Sequence, residues 1–354
     1  MVVTLCGCGV REVDHAQRAR PPVAGAGGTG TSAPGGSGGG GISPNRGLDA
    51  AAAPGTDSGT RPGDASRSTA EAGTAPGDAP PAAGGPPVSG VTVSINGTLV
   101  PREKAIVILH LGHSNMAGRA QDPVALRPYF YDTDPRLWQY QRGGLWTPAR
   151  EPLCGDGGTP GVRPSNQGAG PGMALLRRAL AVAPDAYIIS IGRGESLDYD
   201  ASCFSFRKGG LFYDTVAGPA AELKGKVTFA GLFIMLSYDA RTDAKAQNGG
   251  FLACLQAMAA DFRGDLGEPN LPFIQGDYER GATEDFAPNC CGAPGVIAQL
   301  AQVPMAISHS FLIPSDGIEM QDNHHYDMAG HREWADRAFK GMAANAMLPW
   351  ATVK

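Results

Sequence analysis

From Ala105 to Met347 the chain alternates short apolar runs with longer segments that are apolar on one side, and this rhythm restricts the fold more than any other feature. The runs Ala105 to Leu111, Ala186 to Ile191, Val227 to Leu236, Leu271 to Gln275 and Val303 to Ser308 predict strands. The first is unbroken and β-branched, as a strand buried on both faces requires. The segments Pro171 to Ala183, Phe251 to Arg263, Gly295 to Ala301 and Met328 to Met347 predict helices. In the first helix Met173, Leu176 and Leu180 recur at helical spacing, so they share a face from which Arg177 and Arg178 point away, and Pro171 suits its first turn. Strand and helix in alternation imply a parallel sheet covered on both sides: an α/β fold with a mostly parallel, five-stranded sheet.

Composition separates this region from what precedes it. The 354 residues include 51 Gly and 29 Pro. Residues 20–88 are mainly Gly, Pro, Ala, Ser and Thr, which cannot bury enough surface to offset their ordering entropy; we read them as a disordered linker. Residues 89–354 then form one domain. The stretch Leu5-Cys6-Gly7-Cys8, within residues 1–19, is too short and lacks the basic start of a signal peptide, but resembles the end of a bacterial lipoprotein signal. The expectation is a truncated signal with Cys8 or Cys6 as lipid anchor, and an extracytoplasmic protein.

A net charge of -5 without a Lys/Arg cluster argues against nucleic acid, and no apolar run approaches the ~20 residues that span a bilayer. Contact with a membrane is expected only through the anchor. Cys154, Cys203, Cys254, Cys290 and Cys291 allow at most two bridges among themselves, and their spacings do not suit zinc, so neither metal nor cofactor is expected.

The first predicted strand ends at Gly112 and runs into His113-Ser114-Asn115, placing Ser114 at the sheet edge where open α/β folds build crevices. A serine hydroxyl becomes a useful nucleophile once an imidazole takes its proton and a carboxylate fixes the tautomer. The segment Asp322-Asn323-His324-His325-Tyr326-Asp327, ahead of the last helix, supplies both: Asp322 and His325 are close enough in sequence to meet within one loop.

At these residues the chain resembles the SGNH (GDSL-like) hydrolases, in the branch of sialate O-acetylesterases and carbohydrate acetyl esterases. His113-Ser114-Asn115-Met116-Ala117-Gly118-Arg119 is similar to the family's "GQSNMAGR" block, and Asp322 to Asp327 to its "D-x-x-H-[FY]-[DNST]" block. The stretch Gly170-Pro171-Gly172 resembles its "GPG" block, and Lys208 to Tyr213 a further stretch. The resemblance implies a three-layer α/β/α flavodoxin-like sandwich and a serine esterase removing O-acetyl groups from carbohydrate, with acetylated carbohydrate or another small ester as its partner. It assigns Ser114 as nucleophile, His325 as base, Asp322 as orienter, and the N–H groups of Ser114 and Gly170 as the oxyanion hole.

Two departures accompany it. The family's "W-H-Q-G-E-S-D-A" block, anchored here on Asp239-Ala240, puts Met235 where a glutamine would support the oxyanion; Asn166, Gln167, Ser237, Gln247 and Asn248 are candidate replacements. His113 replaces the usual glutamine beside the nucleophile. Loss of one oxyanion donor costs roughly 10²–10³ in turnover. A non-catalytic glycan-binding protein on the same fold is therefore one alternative, and an esterase of non-carbohydrate esters another.

Candidate substrate contacts are Asn115, Asp239 and His113, with Asn115 also read as tying the turn down by side-chain bonds. Arg241 and Asp243 share the rim with Asp239, His309 is a lesser alternative base, and Gly194-Glu195-Ser196 is read as structural. The run Val91 to Val100, with its Asn96-Gly97 turn signal, predicts a hairpin covering a sheet edge. The aromatics Tyr129, Phe130, Tyr131, Trp138, Tyr140 and Trp146, in a long loop region from Gln121 to Asn166, fit either a sugar-binding rim or packing onto their own domain.

Overall fold

Eight consecutive buried residues, Ala105–Gly112, form the strand around which the structure is built. The computed structural model describes residues 90–121, 124–153, 168–195, 203–237, 240, 246–279 and 293–352. The anchor region, the linker, Cys154, Asn166, Gln167, Ser196, Asp239, Arg241, Asp243, Cys290 and Cys291 lie outside the described residues. Everything below belongs to the unit Pro86–Lys354.

In chain order the elements are β1 (Thr92–Ile95), β2 (Thr98–Pro101), β3 (Ala105–Gly112), α1 (Ser114–Ala117), α2 (Arg127–Tyr131), β4 (Leu137–Gln141), β5 (Leu145–Pro148), α3 (Gly172–Val182), β6 (Tyr187–Gly194), α4 (Cys203–Phe206), α5 (Tyr213–Leu223), β7 (Thr228–Met235), α6 (Phe251–Leu266), β8 (Phe273–Gly276), α7 (Ala293–Leu300), α8 (Val303–Ala306), β9 (Ser310–Ile313) and α9 (Met328–Ala344). The main sheet has the order β5-β4-β6-β3-β7-β8-β9, with β5 antiparallel at one edge and the other strands parallel.

Side chains of β3 alternate between two cores, as a strand's period of two dictates. Val107, Leu109 and Leu111 join the layer of α5, α6 and α7, while Ile106 and Ile108 join that of α3 and α9. The result is the three-layer α/β/α sandwich. His110, also on β3, lies 2.7 Å from Ser190 Oγ through its Nε2, and burial lowers its pKa to about 3, so it is a neutral core group.

Four expectations are corrected. The sheet has seven strands rather than five, because β4 and β5 arise inside the long region read as loop. Val303 to Ser308 is not a strand: its first residues form α8, with Pro304 in the first turn where its missing N–H costs nothing, and the strand follows as β9. The helix α5, which contains Gly218 and Pro219, has no counterpart in the sequence reading; burial of Val216, Ala217, Ala220 and Leu223 outweighs its poor propensity. The β1–β2 hairpin forms a separate two-stranded sheet and is not paired to an edge of the main one. Asn96 and Gly97 both take positive φ, as a tight type I′ turn needs, and Val93, Ile95 and Val100 pack into the core that holds Val107.

Cys203 and Cys254 form a disulfide between α4 and α6. Among the described residues no helix is long and apolar enough to cross a membrane.

The chain leaves β3 for β4 to β6 on one side, then crosses to β7 on the other. Its direction reverses between β3 and β7, and such a switch point opens a crevice at the C-terminal strand ends.

Candidate active site

Ser114 stands at that switch point because β3 ends on a glycine. A Cβ on Gly112 would lie 2.4 Å from the Met235 carbonyl oxygen, so only glycine lets the chain pass this close to β7 and turn at once into α1. Gly194, at the end of β6, is constrained likewise, since a Cβ there would meet Ala117 Cα at 2.2 Å. The His113 N–H donates to the Met235 carbonyl at 2.9 Å, and the Gly118 N–H closes the turn onto the Ser114 carbonyl at 3.0 Å.

The loop between β9 and α9 brings the other two groups. It is closed on itself by the Gln321 N–H, which donates to the His325 carbonyl, and by a bridge between Met320 and Tyr326. Asp327 caps α9 by accepting the Gly330 N–H at 2.7 Å. Within this loop Asp322 Oδ1 accepts the His324 and His325 N–H groups at 2.9 and 2.8 Å, so the carboxylate is fixed by its own turn. Asp322 Oδ2 lies 2.7 Å from His325 Nδ1, and His325 Nε2 lies 2.9 Å from Ser114 Oγ. The structure thus brings Ser114, His325 and Asp322 into one hydrogen-bonded chain.

Burial alone would raise the Asp322 pKa, but the two backbone N–H bonds and the His325 ring hold it below the usual carboxylate range. Ionised, Asp322 only accepts, so Nδ1 of His325 carries the proton and Nε2 offers its lone pair to the serine O–H. Burial lowers the His325 pKa below 6.5 against the opposing pull of Asp322, with Arg119 lowering it further. A base is active when neutral. The dependence of kcat/KM on pH is therefore expected to rise through a midpoint below 6.5 and stay flat above it; a midpoint above 6.5 would contradict this assignment.

Asn115 is buried and grips the loop on both sides of His325: its Nδ2 donates to the His324 carbonyl and its Oδ1 accepts the Tyr326 N–H, each at 2.9 Å. Its side chain ties the serine turn to the histidine loop. Gln321 adds a second clasp, accepting the Gln121 N–H and donating to the Arg119 carbonyl, both at 2.7 Å. His113 is buried, with its ring stacked on Phe206.

Among the described residues, several of those read as further oxyanion donors make other contacts. The Gly170 N–H is not directed at the crevice: it donates to Glu151 Oε2 at 3.1 Å, and the Met173 and Leu153 N–H groups donate to the same carboxyl group. Burial pushes Glu151 up to about 7, while these N–H bonds pull it down. Met235 packs with Met116 and Tyr326 in the apolar cluster and supplies no donor. The Ser237 hydroxyl is turned to the Asp277 carbonyl and Glu279, and the main-chain carbonyl of Gln247 accepts from the Gln299 side chain. Gln247 and Asn248 belong to a turn packed on α6 and α7.

His309 precedes β9, at the opposite end of the sheet from Ser114, and does not reach the site as an alternative base. Glu195 pairs with Arg193 at 2.7 Å, consistent with a structural Gly194–Glu195. The aromatics pack onto their own domain: Phe130 is buried, Tyr140 packs at a tilt against Trp146 and donates to Glu222, and Trp138 donates to the Pro135 carbonyl. Glu151, Gln321 and Glu279 were not singled out from the sequence. A usable signal existed only for Gln321, which adjoins Asp322, and for Glu279, which follows the C-terminal end of β8.

Residues 103–344 match the model of a family described as "Carbohydrate esterase, sialic acid-specific acetylesterase". No curated protein matches the chain. Among solved structures the chain is similar to an Arabidopsis thaliana protein at 20% identity and a TM-score of 0.52, over 69% of this chain and 98% of that one. It is also similar to NanS at 14% identity and a TM-score of 0.51, over 70% and 98% of the two chains. At these identities the structural likenesses establish a shared fold.

Proposed function

Because the chain belongs to the carbohydrate esterase family of sialic acid-specific acetylesterases, we propose that it removes O-acetyl groups from a carbohydrate through a serine acyl-enzyme. The observation that carries this reading is the continuous chain Ser114 Oγ, His325, Asp322, with contacts of 2.9 and 2.7 Å. His325 takes the Ser114 proton as Oγ attacks the ester carbonyl, then returns it to the departing sugar hydroxyl. Water, deprotonated by the same imidazole, releases acetate in the second half. Asp322 holds the imidazole and stabilises its charged form. The Ser114 N–H, on the first residue of α1, is the donor we assign to the oxyanion.

Two donors expected beside it are engaged or missing, since Gly170 serves Glu151 and residue 235 is methionine. This favours a second reading, a sugar-binding protein on the same fold without turnover. The full chain, given O-acetylated sialic acid and acetylated xylooligosaccharide with acetate release as the readout, decides between them. The esterase reading predicts acetate above the level seen with Ser114→Ala; equal background with retained sugar binding supports the second. An extracytoplasmic location is part of the proposal, and the Cys203–Cys254 disulfide supports it, because such bonds persist in oxidising compartments.

A further inference from the structure

The turn that carries Asp322 and His325 also carries the imidazole of His324, and no step of the acyl transfer described above uses that ring. His324 stands directly before His325, and the centroids of the two rings are 3.8 Å apart. Its Nδ1 lies 3.8 Å from Asp322 Oδ1, while His325 Nδ1 lies 2.7 Å from Asp322 Oδ2. One atom able to ligate a metal, taken from each of the three side chains, falls within 4.8 Å of the other two.

Two imidazoles and a carboxylate are a donor set that suits zinc and its neighbours among the transition metals. In a tetrahedron with bonds of about 2.1 Å, neighbouring ligand atoms stand about 3.4 Å apart. The separations of 3.8 and 2.7 Å bracket that value, so small side-chain rotations bring the ligands to it. The backbone beneath them is already set: the His324 and His325 N–H groups donate to Asp322 Oδ1, and the His324 carbonyl accepts from Asn115. An ionised carboxylate keeps further lone pairs for an ion. The Asp322 side chain is 44% exposed, which lets an ion enter from solvent and retain water as its fourth ligand.

Resting on the proposed triad, we propose that Asp322, His324 and His325 form an inhibitory site for a divalent transition metal. The ion binds His325 through Nδ1, and the proton on that atom moves to Nε2. Nε2 then faces Ser114 Oγ across 2.9 Å as a donor and cannot take the serine proton. Asp322 turns from the imidazole to the metal in the same event, so one ion removes both the base and the group that orients it. The triad alone offers two ligands. His324 adds the third, which makes this turn a metal site.

The test is a titration of Zn²⁺ into the full chain without an affinity tag, following both para-nitrophenyl acetate turnover and the zinc bound per chain, the latter by competition with a chromophoric chelator. Saturating Zn²⁺ is expected to lower kcat at least about 10²-fold, because the general base is lost, and EDTA is expected to restore it. Mg²⁺ at the same concentration, which prefers oxygen ligands, is expected to leave turnover unchanged. His324→Phe keeps a ring without a ligand nitrogen. Relative to its own metal-free rate, it is expected to need at least about tenfold more Zn²⁺ for half-inhibition. At the concentration that saturates the wild type it is expected to bind one zinc ion fewer. His324→Ala must behave as His324→Phe does, so a poor fit of the larger ring does not decide the result. Absence of inhibition, or inhibition at the wild-type concentration in both variants, would overturn the proposal. Zinc binding measured in Ser114→Ala, with and without His324→Phe, separates the two claims. A difference of one ion there, with no turnover in the wild type, refutes the esterase reading and leaves the site; wild-type turnover with equal zinc in both refutes the site alone.

Discussion

Ser114→Ala is expected to lower kcat on para-nitrophenyl acetate by roughly 10⁵–10⁶, leaving the melting temperature nearly unchanged. The size follows from the chemistry: without Oγ there is no covalent intermediate, and what remains is the modest help of binding and of one oxyanion donor. His325→Ala is expected to cost a similar factor, because a serine hydroxyl without a base is a poor nucleophile at neutral pH. The two losses do not multiply. Ser114 and His325 share one hydrogen bond of 2.9 Å and act as a unit, so the double variant is expected to match the worse single variant. Additive losses, measured by the same assay, would show that one of the two acts elsewhere.

Asp322→Asn carries the second largest effect, roughly 10³–10⁴ in kcat. An amide can accept the His325 Nδ1–H, but it can also present its own N–H to that nitrogen, moving the imidazole proton to Nε2 and leaving Ser114 facing a donor. Loss of the carboxylate also removes the attraction that opposes burial at His325. The midpoint of the pH–rate curve in Asp322→Asn is therefore expected to move lower still. Asp322 has 44% of its side chain exposed, so water partly stands in for it, and its loss is expected to stay below that of Ser114. A loss equal to that of Ser114→Ala, or a midpoint that moves upward, would contradict this role.

How far the sequence revealed this arrangement depended on the range of each interaction. The strand Ala105 to Leu111 and its serine turn were readable because both lie within one short stretch. Asp322 and His325 were readable for the same reason: the loop that carries them is closed by its own backbone. The oxyanion side was not readable. Whether Gly170 offers its N–H to substrate depends on Glu151, a residue from an unpatterned loop. Glu279 meets Ser237 only because β8 lies next to β7 in the sheet, an adjacency no local pattern encodes. Val303 to Ser308 misled because a short apolar run fits either period, and Pro304, better suited to a helix start than to a sheet interior, was the overlooked signal. Trp138, Tyr140 and Trp146 hid β4 and β5 among turn residues, where aromatics also suggested a sugar rim.

The most direct measurement is mass analysis of the full chain, acid-quenched during turnover of para-nitrophenyl acetate and digested. The account predicts one acetyl group on the peptide containing Ser114, present in the wild type and absent from Ser114→Ala. Turnover without any adduct on that peptide, persisting in Ser114→Ala, would contradict it.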